Sequence, residues 1–140
     1  MNSATPAAPV PHASKALHIG LWVAQVLLFL AFMGAGGMKV VTPAEELLKH
    51  DPTQLIPLTR FIGTAEVLGA LGMILPAASR IRPGLTPLAA LGLFTIMVLA
   101  SGVVVMRGHT QTIPVVVCLG ALAAFVAWGR WKKAPIAPRR

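Results

Sequence analysis

The sequence predicts an all-α protein, an integral membrane four-helix bundle with a short extracytoplasmic helix between helices 1 and 2. The chain of 140 residues is 56% hydrophobic, above the roughly 45–50% of soluble domains. Charged residues make up only 11%, less than half of the usual value of about 25%. The hydrophobic residues fall into four blocks, at residues 17–38, 57–75, 87–106 and 113–131. Each block is close to the ~20 residues that cross a membrane, where the backbone must satisfy its own hydrogen bonds as a helix.

The blocks divide the chain into three parts. We expect a disordered N-terminal lead at residues 1–16, a four-transmembrane-helix domain at 17–131 and a basic cytoplasmic tail at 132–140. The lead is rich in alanine and proline and carries Lys15 as its only Lys, Arg, Asp or Glu. The first block is longer than the 7–15 apolar residues of a typical signal peptide, so we expect it to remain in the mature protein as the first span.

The connection between the first two blocks is long enough for structure of its own. Its segment Thr42-Pro43-Ala44-Glu45 matches a capping box, in which Thr42 and Glu45 would bond each other's backbone N–H groups. This predicts a brief helix over residues 43–50. Two positions for the helix stay open, either solvated or with its leucines against the membrane surface.

The other connections are short. Pro76 is expected to end the second span, and Thr86 followed by Pro87 is typical of a helix start, which predicts a tight hairpin between the second and third spans. Pro114 falls in the first turn of the fourth span, where a missing backbone N–H is tolerated.

The basic residues predict the orientation. With four spans, eight of the twelve Lys and Arg residues lie on the side of the termini, and four lie on the other side. By the positive-inside rule we expect a multi-pass protein of the bacterial plasma (inner) membrane, with the N- and C-termini cytoplasmic. The net charge of +8 does not indicate nucleic-acid binding, because the cations sit between apolar blocks.

A carboxylate within a predicted span is the clearest candidate for function, because such groups are costly in a membrane. Glu66 lies six residues after Arg60, which places it about 9 Å further in. It shares a helix face with small residues, so it should point into the bundle, toward Lys39 and toward Arg107 or His109. The predicted outward-facing, ligand-binding pocket consists of Lys39, Arg60, Glu66, Ser101, Arg107 and His109.

A purely structural interpretation of this group is about as well supported. A buried Glu–Lys or Glu–Arg pair often does no more than fix packing and register. Arg60 alone is also typical of a side chain that reaches for lipid headgroups.

Three segments resemble a known family. Gly36-Gly37-Met38-Lys39 ends the first span, residues 61–72 place Glu66 among glycines, and Leu75-Pro76 precedes a basic turn. Together they resemble the DoxX-like family of small four-helix membrane proteins, over about residues 17–130. The resemblance implies a four-helix bundle. Some members belong to thiosulfate:quinone oxidoreductase or to membrane complexes that handle thiol and oxidative stress, and a distant animal relative assists receptor assembly. Lys39 and Glu66 are the matching polar positions, and no catalytic set comes with the resemblance.

The residues argue against several enzymes. Cys118 is the single cysteine, so thiol-pair redox chemistry is excluded, and we expect it to pack within the fourth span. The four histidines fall in loops or on opposite sides of the membrane, which disfavours a bis-histidine haem and a zinc site. We therefore expect no cofactor and no metal held by this chain.

Three classes of function remain. The first is a redox-associated or accessory membrane subunit, whose polar pocket takes a quinone-like or lipid ligand while a membrane or peripheral partner supplies the redox centre. The second is a small proton-coupled transporter using Glu66. The third is a membrane-protein assembly factor without catalysis, and self-association into a homo-oligomer stays open for each.

Overall fold

A computed structural model of the protein describes residues 14–134 and 136. Their fold is all-α, and they contain no strand. The helices are α1 (Lys15–Val41), α2 (Ala44–His50), α3 (Ile56–Ser79), α4 (Leu85–Met106) and α5 (Ile113–Trp128). A 3₁₀ turn, Thr110–Thr112, precedes α5, and a π-helical turn, Gly129–Lys133, follows it. The predicted N-terminal lead falls outside the described residues up to residue 13, and so does the tail at residues 135 and 137–140.

The four long helices form one bundle in chain order. Helix α1 packs on α3, α3 on α4 and α4 on α5, and α5 returns to α1. In the described chain, four helical segments are long and apolar enough to cross a membrane: α1, α3, α4 and the stretch Thr110–Lys133. This confirms the predicted number of spans.

The helices are apolar on both their inner and outer faces. Phe32, Leu28 and Met73 are buried at the centre, whereas Phe61 and Leu68 lie on the outside with 71% and 63% of their surface exposed. In water such outward faces would be unfavourable, but against lipid tails they are the expected surface. The chain is thus a multi-pass membrane protein.

A short helix, α2, connects the first two long helices, and the capping box predicted for its start is wrong. Thr42 is the C-cap of α1, and its N–H donates to the carbonyl of Met38 at 3.0 Å. Helix α2 starts one residue later than a Thr42 cap requires, with Pro43 as its N-cap and no side-chain capping bond. Thr42 ends one helix, so it does not begin the next.

The predictions for Pro76 and Thr86 are also wrong, for a common reason. Helix α3 continues through Pro76 to Ser79, and α4 has Gly84, not Thr86, as its N-cap. The carbonyl of Met73, one turn before the proline, accepts hydrogen bonds of 3.2 Å from Gln25 Nε2 and from Thr86 Oγ1. Pro76 itself leaves the carbonyl of Gly72 without its helical N–H, so these side-chain bonds fall on the next carbonyl of the same turn. They hold α3 to α1 and α4 at the proline, and the helix continues.

The hairpin itself is as tight as predicted. Arg80, in the left-handed conformation with φ of 57°, ends α3, and α4 begins at Leu85. Pro114 occupies the first turn of α5, as its position in the sequence predicted.

Two glycines bring α1 and α3 into close contact. A Cβ added to Gly36 would lie 2.7 Å from the carbonyl oxygen of Gly63, and one added to Gly63 would lie 2.7 Å from the Cβ of Lys39. Small residues of this kind let two membrane helices approach until their backbones touch. The contact lies next to the candidate site.

Candidate functional site

The carboxylate of Glu66 is buried at the contact between α1 and α3. Glu66 is 1% exposed, and Nζ of Lys39 donates to both of its carboxylate oxygens at 2.8 Å. The Lys39 side chain keeps 34% of its surface exposed, against 2% for that of Glu66. The predicted pairing with Lys39 is confirmed.

Helical spacing explains why these two side chains meet. Gly63, Glu66 and Ala70 follow one another at intervals of three and four residues and are all buried in α3. On α1, Lys39 follows Gly36 by three residues and therefore lies on the same face. The glycine contact sets the two helices close enough for the carboxylate to reach the ammonium group. An ammonium group has three N–H donors, so one donor of Lys39 remains after both bonds to Glu66.

Arg60 caps the C-terminus of α1. Its guanidinium donates to the carbonyl of Lys39 at 2.8 Å and to that of Thr42 at 2.6 Å, and also to that of Val40. The last carbonyls of a helix lack partners within the helix and carry the negative end of its dipole, so a cation is stabilising there. Arg60 thereby holds the backbone of Lys39 in place.

Arg107 does not pair with Glu66. Its Nη1 donates to Oδ2 of Asp51 at 2.8 Å. Hydrogen bonds from the side chain and backbone of Thr53 hold the pKa of Asp51 below its usual range, and the charges of Arg107 and His109 add to the effect. His109 is exposed and precedes the 3₁₀ turn. The predicted pairing of Glu66 with Arg107 or His109 is wrong, because Lys39 occupies both oxygens of Glu66 while Arg107 binds the loop before α3.

Ser101 lies in a third place. Its hydroxyl donates to the carbonyl of Met97 within α4 at 2.8 Å. It also lines an otherwise apolar groove of about 290 Å³ between α4 and α5, together with Phe94 and Val116. The structure thus brings together Lys39, Arg60 and Glu66 and distributes the other predicted residues over a loop contact and this groove.

The sequence analysis did not predict a second polar cluster, which surrounds the buried side chains of Arg130 and Gln25. Arg130 is 3% exposed, and its Nε donates to Oε1 of Gln25 at 2.7 Å. Its Nη1 lies 3.0 Å from Nδ1 of His18 and donates to the carbonyl of Ala134 at 3.2 Å. Its guanidinium carbon lies 5.4 Å from the centre of the Trp22 ring. We call these five residues the Arg130 cluster.

A signal for this cluster was present in the sequence. Gln25 is a polar residue in the middle of the first apolar block, and Arg130 falls inside the fourth block. Gln25 carries no charge, so the high cost of ionisable groups in a membrane does not single it out. Arg130 lies near the end of the fourth block, next to the basic tail, where a cation is expected to face the aqueous side.

The described residues contain no group of three or more His, Cys, Asp or Glu that could hold a metal ion. Cys118 is exposed on α5, so the expectation that it packs inside the bundle is wrong. Val116 and Gly120 face inward instead. Each is two residues from Cys118, which places it about 200° around the helix from the cysteine.

Comparison with known proteins gives a family. Neither the curated proteins nor the solved structures contained a match to this chain. The sequence model of the DoxX-like family matches residues 23–126. This match covers more than half of the chain and includes Lys39, Arg60 and Glu66. The matched region also contains the greater part of each long helix. With its four apolar helices, this chain belongs to the DoxX-like family.

Proposed function

We propose that this DoxX-like protein is an accessory subunit of a redox-associated system in the bacterial plasma membrane. In this proposal the end of the bundle that carries Lys39 faces outward and receives the polar head of a quinone-like or lipid ligand, and both termini are cytoplasmic. A partner protein supplies the redox centre. The chain itself binds and positions the ligand.

One observation carries the proposal, namely the unequal burial of the Lys39–Glu66 pair. The carboxylate is almost fully covered, whereas about a third of the lysine side chain is exposed. The covered carboxylate orients the ammonium group, and the exposed part of the lysine offers the remaining N–H donor to a ligand. A quinone carbonyl or a lipid phosphate is an acceptor that matches such a donor.

The neighbouring residues have supporting roles in the proposal. Arg60 is a positioning residue, because it bonds the carbonyl of Lys39 and leaves the lysine side chain free to point away from it. Arg107 adds positive charge at the same end of the bundle, where it pairs with Asp51, and His109 follows it by two residues. Ser101 and its groove are separate from the pair, and the apolar walls of the groove suit a hydrocarbon tail.

Ligand-induced stabilisation of the full chain in detergent tests the binding step. The probe is a benzoquinone with a short alkyl tail, and the measurement is the thermal unfolding midpoint as a function of probe concentration. A ligand that binds only the folded state at 100 times its Kd stabilises by about 2.7 kcal/mol. We expect this stabilisation in the unmodified protein, and at least a tenfold weaker apparent affinity in the double variant Lys39→Gln/Glu66→Gln.

The double variant removes the ammonium group without stranding the carboxylate. Its matched control is Lys49→Gln/Glu46→Gln, which makes the same two changes at exposed positions of α2 and should bind as the unmodified protein does. Equal affinity in the two double variants would overturn the site.

Cross-linking in native membranes tests the accessory role separately. It should recover one partner in fixed proportion, and the purified complex should absorb light as a flavin, an iron centre or a quinone does. Recovery of the chain alone, without such a complex, would overturn the redox association.

A further inference from the structure

The Arg130 cluster lies at the end of the bundle opposite to Lys39, and its charge is not balanced. Arg130 donates to an amide oxygen and a carbonyl oxygen and contacts the imidazole of His18, and no carboxylate is among these partners. Its Nη2 atom is buried and has no hydrogen-bond partner among residues 14–134 and 136. Buried charges are ordinarily paired, and buried donors are ordinarily bonded.

The acidic side chains of the chain lie toward the other end of the bundle. All four acidic residues, Glu45, Glu46, Asp51 and Glu66, lie in α2, the loop after it and the first half of α3. Glu66 is held by Lys39 near the end of α1, whereas Arg130 contacts His18 and Gln25 near its beginning. No Asp or Glu side chain of this sequence therefore lies beside Arg130, and an anion from another molecule would balance its charge.

A cavity next to Arg130 has room for such an anion. It measures about 450 Å³ and lies between the α3–α4 hairpin, with Pro83, Gly84 and Pro87, and the end of the fourth span, with Arg130 and Trp131. This volume is in the usual range of small-molecule sites, about 300–1,000 Å³. Arg130 is the charged residue among those described that line the cavity, and the others are apolar or glycine.

Arg130 is buried, has no counter-charge among its partners and lines the adjoining cavity, and from these observations we propose that Arg130 binds a phosphate group there. Guanidinium groups match phosphate oxygens in geometry and charge. Trp22 and Gln25 hold the guanidinium plane in position, and the apolar walls of the cavity take the carbon part of the ligand. The phosphate belongs to an anionic lipid headgroup or to a soluble phosphate compound.

This end of the bundle attracts anions as a whole. Arg80 and Arg82 lie in the hairpin just before Pro83, and Lys132 and Lys133 follow Trp131. Such basic residues next to membrane spans concentrate anionic lipids. They raise the local concentration of the ligand, while the buried Arg130 provides the defined site.

Native mass spectrometry of the full chain released from lipid nanodiscs tests the proposal. The nanodiscs contain phosphatidylcholine with one fifth phosphatidylglycerol, and inorganic phosphate is added in a second series. We expect one phosphatidylglycerol molecule to be retained per chain in preference to phosphatidylcholine. Arg130→Gln should lower this retention at least tenfold, and Lys49→Gln, which removes an exposed charge at the other end of the bundle, should leave it within twofold.

A second variant guards against misfolding of Arg130→Gln, which also loses the bonds to Gln25 and His18. Gly84→Leu enters the cavity wall, where a Cβ meets no atom within 4 Å and the backbone φ of −62° suits any residue. It should lower retention at least tenfold with Arg130 intact. Gly92→Leu on the outer face of α4, where a Cβ also meets no atom within 4 Å, is the matched control and should retain the lipid.

The two series distinguish the two sources of phosphate. Retention of phosphatidylglycerol that withstands millimolar inorganic phosphate supports a lipid ligand. Loss of the retained phosphatidylglycerol when inorganic phosphate is added, in the unmodified protein but not in Gly84→Leu, supports a soluble ligand. If neither probe binds, or if Gly84→Leu and Gly92→Leu behave alike, the proposal is overturned. The site does not involve Lys39, so this result and that of the quinone experiment are independent.

Discussion

Neutralising one member of the Lys39–Glu66 pair should destabilise the protein by an amount that depends on which member is changed. Lys39→Met removes the cation that pairs with Glu66, whose side chain is only 2% exposed. Removing one partner of a buried ion pair costs about 3–5 kcal/mol, and we expect Lys39→Met to fall in this range.

Glu66→Gln should cost less. It leaves an ammonium group on a side chain that is 34% exposed, so water can still solvate the charge. The new amide oxygen can accept one N–H of Lys39, and the net loss is then close to that of one charged hydrogen bond, about 1.5–3 kcal/mol, reduced by the exposure of Lys39. We therefore expect about 1–2 kcal/mol. Changing both residues to Met should cost less than Lys39→Met alone, because no buried charge remains.

Thermal unfolding of the full chain in detergent micelles, followed by circular dichroism, measures this order. Lys49→Met and Glu46→Gln repeat the chemistry at exposed sites of α2 and should leave the midpoint unchanged. The reasoning is refuted if Glu66→Gln lowers the midpoint as much as Lys39→Met does, since the carboxylate would then not be the more deeply buried charge.

Two further predictions concern the helix contact and the loop. Gly63→Ala should destabilise the protein by about 1–3 kcal/mol, because the new Cβ would lie 2.8 Å from the carbonyl oxygen of Gly36. The control in the same unfolding assay is Gly37→Ala, where a Cβ meets no atom within 4 Å. Equal unfolding midpoints for the two variants would contradict the close contact. The pKa of Asp51 is lowered in the folded protein, first by hydrogen bonds from Thr53. The ionised carboxylate of Asp51 therefore contributes fully to stability above its ordinary pKa, and this contribution is lost as the pH falls through the lowered pKa of the folded protein. Amide hydrogen exchange of residues 51, 53 and 54 should stay protected from pH 7 to 5 and become faster below about pH 4, after correction for the intrinsic rate. In Asp51→Asn this pH dependence should disappear, and its persistence would assign it to another group.

Most of the architecture could be predicted because it follows from local chemistry. Four apolar blocks of membrane-spanning length leave the backbone no alternative to helices, and the structure has four such helices. The burial of Glu66 and its pairing with Lys39 follow from helical periodicity in the two flanking segments. The family resemblance was confirmed for the same region of the chain.

The errors arose where a distant part of the chain changes a local preference. Pro76 ordinarily indicates a helix end, but side chains of α1 and α4 bond the carbonyl one turn before it and the helix continues. Thr86 is a residue type that commonly caps helices, yet its hydroxyl donates to the carbonyl of Met73 instead. Arg107 has no sequence feature that selects Asp51 over Glu66, because the choice depends on which end of α3 the loop reaches.

Composition and periodicity thus account for the number of spans, the inward face of α3 and the ion pair at its centre, because each depends on free-energy terms within one helix or between two neighbouring ones. The packing of the first helix against the last brought Arg130, Gln25 and His18 together across more than a hundred residues of chain. Such contacts depend on the closure of the whole bundle, which no local pattern encodes. The separation of the Lys39 pair from Arg107 and Ser101 has the same origin, since the relative rotation of all four helices sets it.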